Sequence, residues 1–528
     1  MEWLSVLYLA VASVLAAYLL AILPRKRTLP RGAKLAPGPS GLPILGHLPF
    51  IARSIHEVKC RDWAKTYGPI VRINMCYLDV VVLNDLESIR DYFCKQEVLN
   101  RPSNWLFKLS GIQGNITTER KHYCLQLTNG FVDNHAGLGL LNGHQWRDNR
   151  RFSMHVMRDL GYGKTHMEQH VMEESQYLAD KIAEAKGEPV VLEKYLNPSA
   201  SNIMSALLFG ARYAYEDPRR MLLDNNMARI VSILSSGSVV AFPPAWFHKV
   251  AGMVPFLVNG VVRSITQNLV DFVRREIKQH LDTLEEHTNR DFIDGYLKKI
   301  TKHKHEPETN YTNDCIILHT ADFLVGNIMS FFIAGSNTVA VSIQWHLLNF
   351  AKNQDTLQAR VHQEIDEVIG RERRPAWDDH HLMPFTIATI WEMYRWRTNS
   401  PFGLPRGAEE DTYFGEYFVP KGTVVLSNLW AVHMDPDVWK NPEEFNPSRF
   451  FTEDGSRLAP KPDHLIPFAL GKRMCPGETL STMEIFLFLT TLLQRYRVDA
   501  EEGREVELAC DGAMSHPIPG QRLRFIAR

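Results

Sequence analysis

The stretch PFALGKRMCPGETL, from Pro467 to Leu480, places one cysteine between a glycine-containing basic turn and the apolar run MEIFLFLTTLL. Proline at the first position of a helix sacrifices no hydrogen bond, so the pattern predicts that Cys475 is the N-cap of a helix. Glu478 then falls at the third helical position, as in a capping box. Free N–H groups and the helix dipole favour an anion at such a position. The stretch therefore indicates a thiolate site.

The neighbours of this cysteine limit what a thiolate could bind. Gly471 permits a tight turn that directs backbone N–H groups at the sulfur, and such hydrogen bonds tune a metal–thiolate bond. Arg473 can pair with a carboxylate, and Phe468 can pack over the loop. One soft ligand with an arginine for a carboxylate suits haem iron, because the porphyrin supplies four ligands and two propionates. A zinc site would need about three more protein ligands, and the loop contains none.

A family resemblance follows from the fixed positions of this loop. The pattern F-x-x-G-x-R-x-C-x-G is complete, and the residues that carry it are Phe468, Gly471, Arg473, Cys475 and Gly477. It resembles the cytochrome P-450 haem-thiolate family. The resemblance implies a mostly α fold with minor β sheets, in a single large catalytic domain. It also implies haem b as the cofactor, with Cys475 as the axial thiolate and metal ligand.

Distant segments agree with the resemblance. Glu392 and Arg395 lie three apart in IWEMYRW and can pair on one helical face. The family joins such a pair to a second arginine, here Arg449 of FNPSRF, in a buried network that steadies the cysteine loop. Trp146 and Arg150, four apart in NGHQWRDNRRF, match a pair that the family places at a haem propionate.

Two further arginines are candidates for the propionates. Arg406 of GLPRGAEED matches a basic position that faces the other propionate in the family, and Arg101 of LNRPS is a candidate of the same kind. Taken alone, either arginine is also explained by a solvated surface position.

The segment between Arg101 and Trp146 is longer than the large animal microsomal clan leads us to expect. Because this region contacts substrate in the family, substrate specificity cannot be carried over from a relative.

The segment AGSNT, Ala334 to Thr338, indicates where dioxygen would be handled. A glycine within a helix costs about 1 kcal/mol relative to alanine, so Gly335 indicates a need for space, although helix packing alone could explain it. The Thr338 hydroxyl can bond back to the carbonyl of Ala334 and distort the helix. The family usually has an acid before this threonine, whereas Asn337 can hold a water but cannot donate a proton as a carboxylic acid does. Thr338 and Asn337 are the candidate catalytic residues.

Helical periodicity dominates the body of the chain. Strand-like runs are shorter and lie at residues 69–84 and 423–428. The predicted helices are Val171–Glu184, Ile265–Thr288, Asp322–Asn353, Asp355–Ile369 and Thr479–Arg495.

The N-terminus carries a membrane signal. Trp3–Leu23 contains no charged residue, and about 20 apolar residues span a bilayer as a helix. A cleaved signal peptide is the alternative, but its apolar region is shorter and follows positive charge, whereas here the basic residues follow the run. We predict an anchor at residues 1–24, a basic and proline-rich connector at 25–50, and a haem-thiolate domain at 51–528. Ala241–Val258 is either a second membrane contact or buried loop core.

Composition excludes some functions and fits this placement. The net charge is −1 over 528 residues, which gives no argument for nucleic acid. Seven cysteines without paired spacing indicate a reduced, cytosol-facing protein rather than a disulfide framework. The glycosylation sequons at Asn115 and Asn310 are then chance matches, since glycosylation requires the lumen. The expected location is the endoplasmic reticulum membrane, with a cytosolic catalytic domain.

The resemblance implies a monooxygenase that inserts one atom of O2 into a lipophilic small molecule. No G-x-G-x-x-G dinucleotide motif is present, so the electrons would come from NADPH–cytochrome P-450 reductase, with cytochrome b5 as a second candidate partner. The basic residues Arg147, Arg150, Arg151 and Lys472 suit an acidic partner face, although a solvated charge run also explains all of them except Arg150. Two alternatives stay open: a haem-thiolate isomerase or dehydratase that needs no reductase, and a haem carrier or sensor.

Overall fold

Helices make up most of the chain in the computed structural model, which describes residues 29–43, 45–47, 50, 59–75, 78–102, 137–161, 165–235, 258–303, 316–511 and 515–528. The helices are α1 (Arg61–Tyr67), α2 (Leu86–Ser88), α3 (Gly143–Asp159), α4 (Thr165–Ala183), α5 (Glu193–Phe209), α6 (Pro218–Ser235), α7 (Val258–Asp282), α8 (Phe292–His303), α9 (Ile316–Lys352), α10 (Ala359–Val368), α11 (Pro384–Trp396), α12 (Leu429–His433) and α13 (Glu478–Arg495). Short 3-10 turns lie at Gln96–Val98, Trp377–Leu382, Pro447–Phe450 and Gly471–Arg473, and wider π-type turns at Ile89–Phe93 and Gln354–Gln358.

The strands are short and form small sheets. One sheet has the order β1-β2-β7-β4, in which β2 and β7 are parallel and the other pairs antiparallel. The others have the orders β3-β11-β8, β5-β6 and β10-β9. The strands are β1 (Ile70–Met75), β2 (Leu78–Leu83), β3 (Val190–Val191), β4 (Arg406–Gly407), β5 (Thr412–Phe414), β6 (Tyr417–Val419), β7 (Val424–Ser427), β8 (Tyr496–Ala500), β9 (Cys510–Asp511), β10 (His516–Pro517) and β11 (Arg522–Ala527).

The predicted mostly helical body with minor sheets is confirmed. Each predicted helix overlaps an observed one, and both strand-like runs contain strands. The largest differences are at helix ends. The helix predicted to reach Thr288 ends at Asp282, and the helix predicted from Asp355 opens with the π-type turn Gln354–Gln358 before α10 begins. Periodicity finds the buried face of a helix, whereas its ends depend on local turn chemistry.

The long helix α9 is the centre of the main core. It packs against α5 and α13, and the cluster of buried apolar side chains extends over all three. Within the described part of the chain, Phe323–Lys352 is the one segment long and apolar enough to cross a membrane, and most of it is buried inside the fold. A buried helix that is apolar all round is a core helix, so this segment is the interior of the domain.

Several predictions from sequence fall on residues that the structure does not describe. They are the anchor Trp3–Leu23, most of Ala241–Val258, the segment 103–136 and the sequons at Asn115 and Asn310. The described part of the connector lies along β1: the Arg72 N–H donates to the Pro37 carbonyl at 2.8 Å, and the His47 N–H donates to the Asn74 carbonyl at 2.7 Å.

Two buried asparagines join α3, which carries Trp146 and Arg150, to α9. Asn149 Nδ2 donates to Asn327 Oδ1 at 2.7 Å, and Asn327 Nδ2 donates back to Asn149 Oδ1 at 2.9 Å. Around this pair, the Leu138 N–H donates to Asn327 Oδ1 at 3.0 Å and the hydroxyl of Tyr296 on α8 donates to Asn149 Oδ1 at 3.0 Å. Removing one amide would leave buried partners without hydrogen bonds.

We predict that Asn327→Leu lowers the free energy of unfolding by about 2–4 kcal/mol, because it leaves the Leu138 N–H and Asn149 Nδ2 without their acceptor. Denaturant unfolding measures the loss. The double variant Asn149→Leu/Asn327→Leu should lose less than the sum of the two single variants, since neither amide then faces an apolar partner. Asn353→Leu at the partly buried end of α9 is the control, and an equal loss there would contradict the prediction.

His280, near the end of α7, is held by hydrogen bonds at both ring nitrogens. Nδ1 lies 2.7 Å from the Glu276 carbonyl, and Nε2 lies 2.7 Å from Asp291 Oδ2. Because both partners accept, both nitrogens donate and the ring is an imidazolium. Burial acts to lower the pKa of His280, but the bonds to Asp291 and Glu276 and the charge of Asp294 outweigh it and raise the pKa above 6.5. Arg290 neutralises Asp294 through bonds of 2.6 and 2.8 Å.

A raised pKa in the folded state means that His280 stabilises the fold fully below about pH 6.5, the unfolded value. This contribution is lost as the pH rises through the folded-state pKa. We expect the thermal midpoint of the protein to fall over that window relative to His280→Gln, when both are measured at one scan rate from pH 5.5 to 9. Parallel pH curves for the two proteins would contradict the assignment.

Candidate functional site

The loop that carries Cys475 folds back on itself. The Cys475 N–H donates to the Phe468 carbonyl at 2.9 Å, and the Met474 N–H donates to the Gly471 carbonyl at 3.0 Å. The Gly477 N–H then points at Cys475 Sγ, 3.3 Å away. A backbone N–H does point at the sulfur, but it comes from two residues after the cysteine and not from the upstream turn at Gly471 as predicted.

The predicted N-cap is wrong by two residues. Helix α13 begins at Glu478 with Gly477 as its N-cap, so Glu478 is the first helical residue and forms no capping box. Its carboxylate instead pairs with Lys461. Residues 475–477 form a turn that points the Gly477 N–H at the sulfur, and helix α13 begins only after this turn. Desolvation raises the pKa of the Cys475 thiol, while the Gly477 N–H and the Arg150 guanidinium act to lower it. The loop alone therefore does not make a thiolate, whereas a coordinated metal ion would.

Gly471 is required by both its backbone and its surroundings. Its φ is +76°, in the left-handed region that disfavours residues with a Cβ. A Cβ at this position would also lie 2.7 Å from Cys94 Sγ. Phe468 is partly buried, and its ring packs edge-to-face on Tyr394 of α11 with 5.2 Å between the ring centres. Phe468 therefore braces the loop against α11.

Helix α3 holds the loop from the other side. Trp146 is buried, and the Arg473 guanidinium lies over its ring at 3.8 Å from the centre. Arg150, one turn later, donates from Nη2 to the Met474 carbonyl at 2.8 Å. Arg473 also donates to the carbonyl of Leu99 at 3.0 Å. The pair Trp146 and Arg150 predicted from its spacing thus meets the cysteine loop directly.

Arg101 and Arg406 lie in the same cluster and are buried. Arg101 Nε donates to the Gly139 carbonyl at 2.9 Å, and its Nη1 donates to the carbonyls of Leu404 and Pro405 at 2.9 and 3.0 Å. Arg406, on β4, bonds the carbonyl of Phe93, and its Nη2 donates to that of Leu470 at 3.2 Å. Neither arginine is a solvated surface residue, which was the alternative that the sequence alone left open.

The four arginines 101, 150, 406 and 473 form a cationic cluster that the described residues do not neutralise. Burial lowers the pKa of all four, and repulsion among the guanidiniums adds to the effect for Arg101 and Arg473. Among the described residues, none of the four makes a salt bridge with an acid. Three buried nitrogens there also have no hydrogen-bond partner: Trp146 Nε1, Arg406 Nε and Arg473 Nη1. Since arginine resists losing its proton, the cluster fits a dianionic group such as the two propionates of haem.

The predicted network of one acid and two arginines is present and buried. Arg395 donates from Nε and Nη2 to the two oxygens of Glu392, both at 2.8 Å, and both side chains are 0% exposed. Arg449 Nε donates to Glu392 Oε1 at 3.0 Å, and the Asn446 N–H donates to the same oxygen at 2.7 Å. Glu392 and Arg395 therefore form a buried pair and not a solvent-exposed one.

His433, which sequence reasoning did not single out, connects this network to the cysteine loop. Its carbonyl accepts Arg395 Nη1 at 2.9 Å, its Nε2 accepts the Ile466 N–H at 3.0 Å, and its Nδ1 lies 2.6 Å from Thr398 Oγ1. Because a backbone N–H can only donate, Nε2 is the bare nitrogen and Nδ1–H donates to Thr398. Burial, Arg395 and Lys461 lower the pKa of His433 to about 3, so the ring is neutral. No local pattern marks this histidine, since its partners come from distant segments.

The AGSNT segment lies within α9. Thr338 Oγ1 donates to the Ala334 carbonyl at 2.6 Å, which confirms the predicted back-bond. A Cβ at Gly335 would collide with the flexible end of the Met204 side chain on α5, so the glycine lets these two helices pack without moving that side chain. Asn337 and Thr338 are partly buried, and Ala334 is exposed. The back-bonded turn at Thr338 is a feature that bends helices locally.

An accessible cysteine in a braced loop, beside guanidiniums that lack an acid, is the arrangement of a haem-thiolate protein. The sequence matches the cytochrome P450 family over residues 36–523. Cytochrome P450 2A12 of Mus musculus is 32% identical over 464 residues, 88% of this chain and 87% of the relative. Cytochrome P450 2F2 of Rattus norvegicus is 30% identical over 492 residues, 92% of each chain. Cytochrome P450 2C20 of Macaca fascicularis is 31% identical over 471 residues, 88% of each chain.

The chain belongs to the cytochrome P450 family. It is a single P450 domain over most of its length, and its enzyme class is the oxidoreductase class of monooxygenases. Its cofactor is haem with a cysteine thiolate as axial ligand. Carrier or sensor activity, the non-enzymatic alternative from sequence, is set aside by this assignment.

We predict that Gly471→Ala destabilises the loop for two separable reasons, a left-handed φ that costs about 1–2 kcal/mol for a residue with Cβ and the contact with Cys94 Sγ. The double variant Gly471→Ala/Cys94→Ala removes only the contact, so it should recover part of the lost thermal stability. The measurement is the thermal midpoint of the haem absorbance band, with Cys94→Ala alone as control. Full recovery, or none, would show that only one of the two causes operates.

Proposed function

We propose that this protein is a membrane-anchored monooxygenase that inserts one oxygen atom of O2 into a lipophilic small molecule. The observation that carries the proposal is the cluster of four guanidiniums beside the accessible Cys475, which has no acid among the described residues; Arg101, Arg406 and Arg473 are buried and Arg150 is partly buried. In the proposal, residues 1–24 anchor the chain in the endoplasmic reticulum membrane and 25–50 connect to the catalytic domain at 51–528. That domain faces the cytosol.

The haem, when bound, supplies the binding and reductive activation of dioxygen, after which one atom enters the substrate and the other leaves as water. Cys475 would hold the iron through its sulfur, and the Gly477 N–H would tune the electron donation of that sulfur. Arg406, Arg473 and Trp146 each have a buried nitrogen without a hydrogen-bond partner among the described residues, and these nitrogens would donate to the propionates. These residues bind and orient the cofactor.

Arg101 and Arg150 support the same site in a different way. Both donate mainly to backbone carbonyls, so they fix the chain segments around the cofactor and add positive potential to the site. Glu392, Arg395 and Arg449 act behind the loop as a structural network. Thr338 and Asn337, on α9, would serve dioxygen binding and proton delivery.

The donor of electrons is a separate protein, for which we propose NADPH–cytochrome P-450 reductase, with cytochrome b5 as a second candidate. The exposed side chains of Arg147, Arg151 and Lys472 support an acidic docking partner, since they lie next to residues that hold the cysteine loop. Complementary charge speeds encounter and makes it sensitive to salt. The substrate is proposed to be lipophilic because a membrane anchor places the domain where such compounds concentrate.

We expect the dithionite-reduced protein in membranes to give a red-shifted Soret band with carbon monoxide, and Cys475→Ser to lose that band because the thiolate is gone. Cys510→Ser is the control and should keep it. Product from a panel of lipophilic compounds should require both NADPH and the reductase. A thiolate-type band in Cys475→Ser would overturn the assignment of the ligand, and reductase-free rearrangement of an organic peroxide would favour the isomerase alternative.

A further inference from the structure

Asn399, in the turn after α11, bonds to the segment of α9 that carries Thr338. Its Nδ2 donates to the Thr338 carbonyl at 3.0 Å and lies 2.9 Å from Ser342 Oγ. A carbonyl can only accept, so the NH2 end of the amide must face it. The contact joins residues 61 positions apart in sequence and is invisible to any local pattern.

This contact falls on a turn of α9 that is already held by side-chain hydroxyls. Thr338 Oγ1 donates to the Ala334 carbonyl at 2.6 Å, and Ser342 Oγ donates to the Thr338 carbonyl at 2.9 Å. Hydroxyl bonds to the carbonyl four residues earlier often bend helices. Asn399 adds a donor from outside the helix to the same Thr338 carbonyl, so it resists relaxation of the turn toward a straight helix.

The residue before Asn399 belongs to the support of the cysteine loop. Thr398 is buried and accepts the Nδ1–H of His433, and His433 Nε2 accepts the Ile466 N–H nine residues before Cys475. The dipeptide Thr398–Asn399 therefore contacts the supports of both candidate halves of the site: the dioxygen segment through one side chain and the cysteine loop through the other.

We propose that Asn399 is a positioning residue for the reaction, acting through the turn of α9 that holds Thr338. The inference rests on the role of Thr338 in the proposed function. The amide fixes the peptide group of Thr338, and this fixes the direction of the Thr338 hydroxyl. Without it, the hydroxyl loses its orientation, and more of the reducing equivalents end as hydrogen peroxide instead of product.

The test compares Asn399→Leu and Asn399→Asp with Asn353→Leu, a control just beyond the end of the same helix whose amide Nδ2 donates to the carbonyl and Oδ1 of Asn349. Leucine removes the donors without adding charge, and aspartate keeps the shape of the side chain. We expect amide hydrogen exchange in residues 334–346 to be about tenfold faster in both Asn399 variants, which corresponds to about 1.4 kcal/mol. Exchange in residues 347–353 should not change.

The same proteins are assayed for coupling, the ratio of product formed to NADPH oxidised. Coupling should fall and peroxide should rise in both Asn399 variants but not in Asn353→Leu. In a Thr338→Ala background, Asn399→Leu should cause no further loss of coupling, because the hydroxyl that it orients is absent. The carbon monoxide spectrum verifies that each variant retains haem.

The outcomes separate the inference from the proposal beneath it. If Thr338→Ala leaves coupling unchanged, the proposed role of Thr338 fails, and the inference fails with it. If Thr338→Ala uncouples but Asn399→Leu does not, only the inference is overturned. Equal losses from Asn399→Leu with and without the Thr338 hydroxyl would also overturn it, as would an effect confined to Asn399→Asp, which would be due to the introduced charge.

Discussion

The carboxylate of Glu392 is the point on which the cysteine side of the domain depends. It is fully buried, and it accepts hydrogen bonds from Arg395, Arg449 and the Asn446 backbone. A buried anion is tolerated only when its partners are complete, so these elements must meet in one arrangement. Arg395 also donates to the His433 carbonyl. The His433 ring in turn accepts the Ile466 N–H, just before the cysteine loop. The position of the sulfur is thus set by an ion pair that never touches it.

The arginine cluster beside the cysteine loop differs electrostatically from the Glu392 network. In the network each buried charge has a partner of opposite sign, whereas the guanidiniums of Arg101, Arg150, Arg406 and Arg473 lie together without an acid among the described residues. A protein stabilises such a cluster only if something else supplies the negative charge. The folding of this region and the binding of an anionic cofactor are therefore linked, since the cofactor removes a repulsion that the chain alone leaves in place.

Sequence predicts those parts of this structure that depend on neighbours along the chain. The Thr338 back-bond and the pairing of Glu392 with Arg395 follow from spacing on one helical face. The contact of α3 with the cysteine loop was not predicted. The predicted N-cap at Cys475 was wrong because proline suits a turn as well as the first position of a helix. Here Pro476 lies in a turn that points the Gly477 N–H at the sulfur. The roles of His433, of Asn399 and of the pair Asn149 and Asn327 depend on partners far away in sequence. An asparagine has no periodicity that reveals such a partner.

The side of the domain that carries Thr338 uses neutral groups where an ionisable one could stand. Asn337 precedes the threonine, Asn399 holds its carbonyl, and Asn149 with Asn327 join α3 to α9. Amides donate and accept, but they do not change charge with pH, so this framework keeps its geometry over a wide pH range. At rest, the Thr338 hydroxyl donates its proton to Ala334, which leaves its lone pairs as acceptors. The hydroxyl oxygen of Thr338 can therefore still accept a hydrogen bond from a neighbouring donor.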